Sequence, residues 1–102
     1  MIRLTYASTA TKDFKTEDLL ELLKSCIINN GAKNITGILL YSHGTFFQVL
    51  EGNEAVVEDT FERIKKDKRH KDVTLIEKLP ITEREFPYWR DRKSTRLNSS
   101  HT

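Results

Sequence analysis

Residues 35–52 read ITGILLYSHGTFFQVLEG, and this stretch decides the fold. Ile35 to Ser42 is a nearly continuous apolar run, interrupted only by Thr36 and Gly37, as suits a central strand covered on both faces. His43-Gly44 is short enough for a hairpin turn. Thr45 to Glu51 is then the returning strand. Successive strand side chains point to opposite faces, so Phe46, Gln48 and Leu50 share one face while Phe47 and Val49 share the other.

Both flanks of this hairpin read as helices. Upstream, Thr16-Glu17-Asp18 offers an N-cap with acids in the first turn, where the helix dipole favours them. Leu19, Leu22, Leu23 and Cys26 follow at helical spacing, with Leu20 and Ile27 widening the stripe. Asn29-Asn30-Gly31 closes this helix, with Gly31 expected as a left-handed cap. Downstream, Gly52-Asn53-Glu54 leads into a second helix with the stripe Val57, Phe61 and Ile64, flanked by Val56, and the basic cluster Lys65 to Lys71 ends it. Further out, Ile2, Leu4 and Tyr6 alternate with Arg3, Thr5 and Ala7 as a half-buried strand, Thr9 to Lys15 reads as a loop, and Val73 to Leu79 reads as a fourth strand. The order β-α-β-β-α-β predicts a ferredoxin-like α+β fold, a mostly antiparallel sheet carrying both helices on one face.

A chain of 102 residues is enough for one domain. It holds no apolar run long enough to span a membrane, and Met1-Ile2-Arg3-Leu4 leads into a strand pattern rather than a signal peptide. Cys26 is the only cysteine, which excludes an internal disulfide and a multi-cysteine metal site and suits a reducing, cytoplasmic setting. The net charge of +2 is unevenly spread. Arg90, Arg92, Lys93 and Arg96 stand against Asp91 alone in residues 90–102, so the preceding 89 residues are slightly acidic. That balance argues against a nucleic-acid surface on the folded part. The domain is expected over residues 1–89. Residues 90–102, rich in Ser and Thr and without a period, are expected to be a disordered or non-native tail, since Lys93 to His101 resembles translated adapter sequence.

Several polar residues stand out. Gln48 lies between Phe46 and Leu50, and Tyr6 puts a hydroxyl on the face of Ile2 and Leu4. A buried amide costs a few kcal/mol unless it is hydrogen-bonded. The two residues therefore pair with each other or with backbone, or Gln48 lies at a sheet edge, or they belong to a site. Arg63 and Asp67 stand at i, i+4 and read as an intrahelical ion pair, and Asn29-Asn30 as capping chemistry. His43, His70 and His101 share no metal-ligand spacing, and Cys26 in a leucine stripe reads as core. Glu51 and Glu54 are not marked as an acid/base couple, and no phosphate-loop, dinucleotide or zinc-protease motif is present.

Read together, these residues resemble the BLUF domains, blue-light sensors using FAD. The resemblance rests on Ile2 to Ser8, Asn29-Asn30, Ile35 to Tyr41, Phe46 to Gly52, Lys66 to His70 and Phe86-Pro87-Tyr88-Trp89, in register from residue 2 to about 89. It implies a flavin ring between the two helices, with FAD as the cofactor and FMN or riboflavin as alternatives. By resemblance, Tyr6 is the redox-active phenol and Gln48 the amide that joins it to the flavin edge. Asn30, with Asn29 beside it, holds the carbonyl side of the ring. Arg63 and Asp67 contact the flavin from the second helix, Phe46 and Ile64 line its pocket, and Lys66, Lys68 and Arg69 lie near the cofactor phosphates. The resemblance further implies a photosensory module without substrate turnover, which reports to an effector protein or domain. Partners are otherwise the flavin alone and no nucleic acid or membrane, with homo-oligomerisation left open.

The chain departs from the family after Trp89. Arg90-Asp91 follows, Met1 is the only methionine, and the family's fifth strand with its methionine is expected to be replaced by the tail. By resemblance Trp89 belongs with the photoactive residues, and the family's fifth strand relays the signal. The competing readings are an acylphosphatase-like hydrolase and an interaction module without flavin. The first needs an arginine after the first strand, where Thr9-Ala10-Thr11 stands. An RNA-binding sheet needs exposed aromatics beside basic residues, which Phe46 and Phe47 on opposite faces do not supply.

Overall fold

The computed structural model describes residues 1–87 and, as backbone, residues 90–93. The elements are β1 (Ile2–Ala10), α1 (Thr16–Gly31), β2 (Thr36–Ser42), β3 (Thr45–Gly52), α2 (Glu54–Lys65), β4 (His70–Pro80) and β5 (Arg90–Lys93). The first six follow the expected β-α-β-β-α-β order. They form one sheet in the order β4-β1-β3-β2-β5, antiparallel throughout except for the parallel pair β2–β5.

The hairpin at 35–52 forms as its sequence requires. His43 (φ 48°) and Gly44 (φ 82°) are both left-handed, the geometry whose twist matches the two strands. Along β1, Ile2, Leu4, Tyr6 and Ser8 are buried and their neighbours half-exposed, so the period-2 pattern is realised. Two clusters cover the inner face. Ile2, Leu4, Ile35, Leu50, Val57 and Phe61 pack under α2, and Phe14, Leu19, Leu39, Tyr41 and Phe46 pack under α1. Val57 is fully buried, a side chain whose burial contributes about 1.5–3 kcal/mol. Between the clusters, Gln48 faces the gap between the helices.

Several local expectations are corrected. Thr16 is the first helical residue rather than the cap; Lys15 takes the cap position, and its N–H donates to the Asp18 carboxylate at 2.9 Å. Gly31 is helical, and the left-handed residue is Asn34 (φ 59°), whose side chain tolerates that conformation. Leu20 and Ile27 are exposed and do not widen the buried stripe. Strand β4 is longer than expected because its outer residues pair with Ala10 and Thr9 across two register shifts; its exposed charges blunt a sheet edge. The largest correction is at the C-terminus. Arg90–Lys93 are not a structureless tail but pair with Ile38–Tyr41, because β2 otherwise offers an open row of backbone donors and acceptors. Residues 94–102 and Trp89 lie outside the described residues.

Candidate functional site

The strand registers decide which side chains meet. In the β1–β3 ladder Tyr6 stands directly opposite Gln48, and in the β2–β3 ladder Leu39 stands opposite it on the other side. Cross-strand partners share a face, so phenol and amide both point toward the helices. Tyr6 is 2% and Gln48 3% exposed, and the Tyr6 Oη donates to the Gln48 Oε1 in a short hydrogen bond. Gln48 is therefore in mid-sheet, not at an edge. Burial pushes the Tyr6 phenol well above its ordinary pKa, with the neighbouring Cys26 and Asp67 adding to the shift and Arg69 opposing it. The proton thus stays on Oη over the whole neutral range.

Because Oε1 accepts from the phenol, the Gln48 Nε2 must face the other way. It donates to the Cys26 Sγ at 3.5 Å. Cys26 comes from α1, one helical turn before Asn30 and on the same face. Burial pushes its thiol up, and the bond from Gln48 partly offsets that shift. Cys26 is accordingly a neutral thiol in a wall of the site rather than plain core.

Tyr6, Gln48 and Cys26 open onto a cavity of about 380 Å³ between α1 and α2, within the usual range for small-molecule sites. Leu22, Asn29 and Asn30 reach it from α1, Leu39 and Phe46 from the sheet, and Thr60, Arg63, Ile64 and Asp67 from α2 and its end. Tyr6, Asn29, Asn30, Phe46, Gln48, Arg63, Ile64 and Asp67, the described side chains expected at the flavin ring, are thus brought to one cavity. Asn30 is buried, and its backbone carbonyl accepts from Lys33 N at 3.0 Å and Ile35 N at 2.9 Å, which holds the residue in place. Asn30 also lines the cavity. Apolar walls (Leu22, Leu39, Phe46, Ile64) with amides at the ends suit a flat heteroaromatic ring with a polar edge. The residues present fit a flavin.

The end of α2 differs from expectation. Arg63 pairs with Asp59 at 3.4 Å, an exposed pair of small effect, and not with Asp67. Asp67 instead accepts from the backbone and the guanidinium of Arg69, at 2.9 Å and 2.6–3.1 Å. That hydrogen bonding holds the Asp67 carboxyl below its usual range and raises Arg69. The pair rims the cavity, so Arg69 lies at the site, while Lys66 and Lys68 do not line it. His70 was not singled out by spacing, yet its ring is a wall of the cavity between Tyr6 and Phe46. Its Nε2 lies 2.8 Å from the Ile64 carbonyl and its Nδ1 2.8 Å from the Ser8 hydroxyl. A carbonyl only accepts, so Nε2 donates to Ile64, and in the neutral ring Nδ1 then accepts from the Ser8 hydroxyl. The signal for Cys26 is its i−4 spacing from Asn30; His70 stands in the Lys66 to His70 run that carries the resemblance, and for Thr60 no local pattern points to the cavity. After β1, where the hydrolase reading needs an arginine, Thr11 donates to the Lys68 carbonyl at 2.9 Å.

The model of the family described as BLUF, sensors of blue-light using FAD, matches residues 1–92. The chain is 39% identical over 84 residues to the photoactivated adenylate cyclase subunit beta of Euglena gracilis, covering 82% of this chain and 10% of that protein. It is 41% identical over 86 residues to the alpha subunit from the same organism, covering 84% and 8%. The chain thus spans about a tenth of the curated relatives it matches. Among solved structures, the dark state of the BLUF protein BlrB superimposes with a TM-score of 0.88 at 30% identity, over 96% of this chain and 76% of that one. A bacterial light-regulated adenylyl cyclase gives 0.83 at 34% identity, over 100% of this chain and 29% of that one.

Proposed function

The chain belongs to the BLUF family of blue-light sensors, and from that premise we propose that it holds FAD non-covalently between α1 and α2 and switches through Tyr6 and Gln48. The observation that carries this reading is the buried hydrogen bond from the Tyr6 Oη to the Gln48 Oε1 in the wall of the cavity. When bound, the flavin absorbs blue light and its excited ring accepts an electron. Asn30, with Asn29, supplies amide groups for the ring's polar edge; Leu22, Leu39, Phe46 and Ile64 exclude water from its faces; Arg63, Asp67 and Arg69 stand at the rim.

Tyr6 is the electron donor, and its Oη already points its proton at Gln48. A phenol that loses an electron becomes strongly acidic, so its proton would pass along that bond toward Gln48, and return of the electron and proton would restore the Tyr6 phenol. Gln48 has a donor end and an acceptor end and two ways to present them. In this structure Oε1 faces Tyr6 and Nε2 faces Cys26. Rotation or tautomerisation exchanges what the amide offers to each neighbour, and this altered arrangement is the lit state. No substrate is turned over in this reading, and the cellular setting is cytoplasmic. The output is read by an effector, an attached domain or a separate protein; the similar Euglena proteins are named as adenylate cyclases. FAD stands first because the family description names it, and FMN or riboflavin present the same ring to the cavity.

Absorption of the flavin-loaded protein before and after a blue flash tests the reading. A small red-shift that recovers in darkness, and that disappears in Tyr6→Phe and Gln48→Ala, is the expected result. A full shift in either variant would overturn the assignment of the switch.

A further inference from the structure

The chain must pass from β4 at one edge of the sheet to β5 at the other. The crossover begins with Ile81, whose N–H donates to the Met1 carbonyl at 2.9 Å. It then lies over the face of the sheet opposite the helices. There Glu51 of β3, 0% exposed, gathers it: one carboxylate oxygen accepts from Phe86 N at 2.8 Å, and the other accepts from Glu85 N at 3.2 Å and from the Arg3 Nε at 2.8 Å. Arg84 adds a second clamp, donating to the Thr36 Oγ1, the Glu51 carbonyl and the Asn34 carbonyl at 2.6, 2.7 and 2.7 Å. Arg3 also reaches the Glu85 carboxylate at 3.2 Å. A carboxylate this buried is tolerated because Arg3 neutralises it and backbone amides occupy its lone pairs.

Gln48 and Glu51 lie three residues apart on β3, about 10 Å along the strand, and point to opposite faces. Strand β3 therefore presents the photoactive amide to the cavity and the crossover's anchor to the other side. The same two strands carry both pairs, Tyr6 opposite Gln48 and Arg3 opposite Glu51. We propose that Glu51 is a positioning residue that couples the arrangement of Gln48 to the 81–87 crossover, and through it to β5. The proposal rests on the Tyr6–Gln48 switch described above. A change in how Gln48 is bonded alters the pairing of β1 with β3, and the pair Arg3–Glu51 in that ladder passes the change to the amides of Glu85 and Phe86.

The test is amide hydrogen exchange, read by mass spectrometry, on the full chain loaded with FAD, in darkness and under continuous blue light. Peptides covering residues 81–87 are expected to exchange about tenfold faster in the light, the loss of roughly one charge-assisted bond per amide. Glu51→Gln keeps one acceptor and loses the charge. It is expected to retain the flavin red-shift while these peptides exchange fast in both conditions, so that the light-minus-dark difference vanishes. Arg84→Met, which leaves the carboxylate and its amide bonds in place, is expected to keep the difference; it also serves if Glu51→Gln does not fold. Exchange at 81–87 that is the same in light and darkness in the parent protein, with the red-shift present, would overturn the coupling. So would a light-dependent difference that survives Glu51→Gln. Tyr6→Phe separates the two readings: if it keeps the red-shift the switch assignment fails, whereas a lost shift with unchanged exchange in the photoactive parent refutes only the role of Glu51.

Discussion

The buried bond between Tyr6 and Gln48 should show a large, non-additive effect on stability. Tyr6→Phe deletes one neutral hydrogen bond, about 1 kcal/mol net, and leaves the Gln48 Oε1 unpartnered in a side chain only 3% exposed. An orphaned buried acceptor costs about 1–3 kcal/mol, so the single change should destabilise by about 2–3 kcal/mol. Gln48→Leu orphans the phenol instead and also removes the weak contact with the Cys26 Sγ, for a similar loss. The double variant replaces both polar groups with apolar ones of similar shape and leaves nothing unpaired. Losing only the bond itself, about 1 kcal/mol, it should lose about 3–5 kcal/mol less than the two single losses combined. Urea unfolding of the flavin-free protein, followed by circular dichroism, measures this; at a slope of about 1.5 kcal/mol per M, a loss of 2 kcal/mol moves the midpoint by about 1.3 M. Additivity within about 0.5 kcal/mol would refute the pairing on which the switch rests.

Three further outcomes are expected. Gly37→Ala would put a Cβ 1.7 Å from the Val49 carbonyl oxygen, a clash with backbone that only separation of β2 from β3 relieves; a loss of about 3 kcal/mol or more is expected in the same urea assay, and a loss below 1 kcal/mol would contradict the close approach. The Tyr6 phenol is raised from 10.0, so its contribution is fully present below pH 10 and is lost as pH rises past the value at which the unfolded phenol ionises; stability should fall less steeply above pH 10 in Tyr6→Phe than in the parent, as read by thermal unfolding at stepped pH. Burial raises the Cys26 thiol, and only the thiolate is alkylated, so the rate of iodoacetamide labelling should still climb above pH 9 and should drop further when flavin fills the cavity; a plateau near the free-thiol value, unaffected by flavin, would remove Cys26 from the site.

Much of the fold was legible because its signals are local. The apolar run at 35–42, the His43-Gly44 turn and the alternation along Ile2, Leu4 and Tyr6 each act within a few residues, and each element formed. Boundaries were less legible, since the end of α1 is set by Asn34 rather than Gly31, and the start of β4 by its pairing with Ala10. Strand β5 was not legible at all. Arg90, Asp91, Arg92 and Lys93 have no strand-like alternation, and they pair because β2 leaves a sheet edge free.

The same division holds for the site. Composition and pattern by themselves determined a helix-covered sheet, two out-of-place polar residues on its inner face, and the asparagines that close the first helix; motif order tied these to one family. Which groups touch was decided by tertiary structure. The register of β3 between β1 and β2 sets Gln48 opposite Tyr6, the packing of α1 brings the Cys26 Sγ to the Gln48 Nε2, and the crossover from β4 to β5 turns Glu51, an acid to which the pattern gave no role, into a buried anchor. A sequence records the chemistry each side chain can offer, but a hydrogen bond between residues 42 or 35 positions apart exists only once the chain has closed the loop between them.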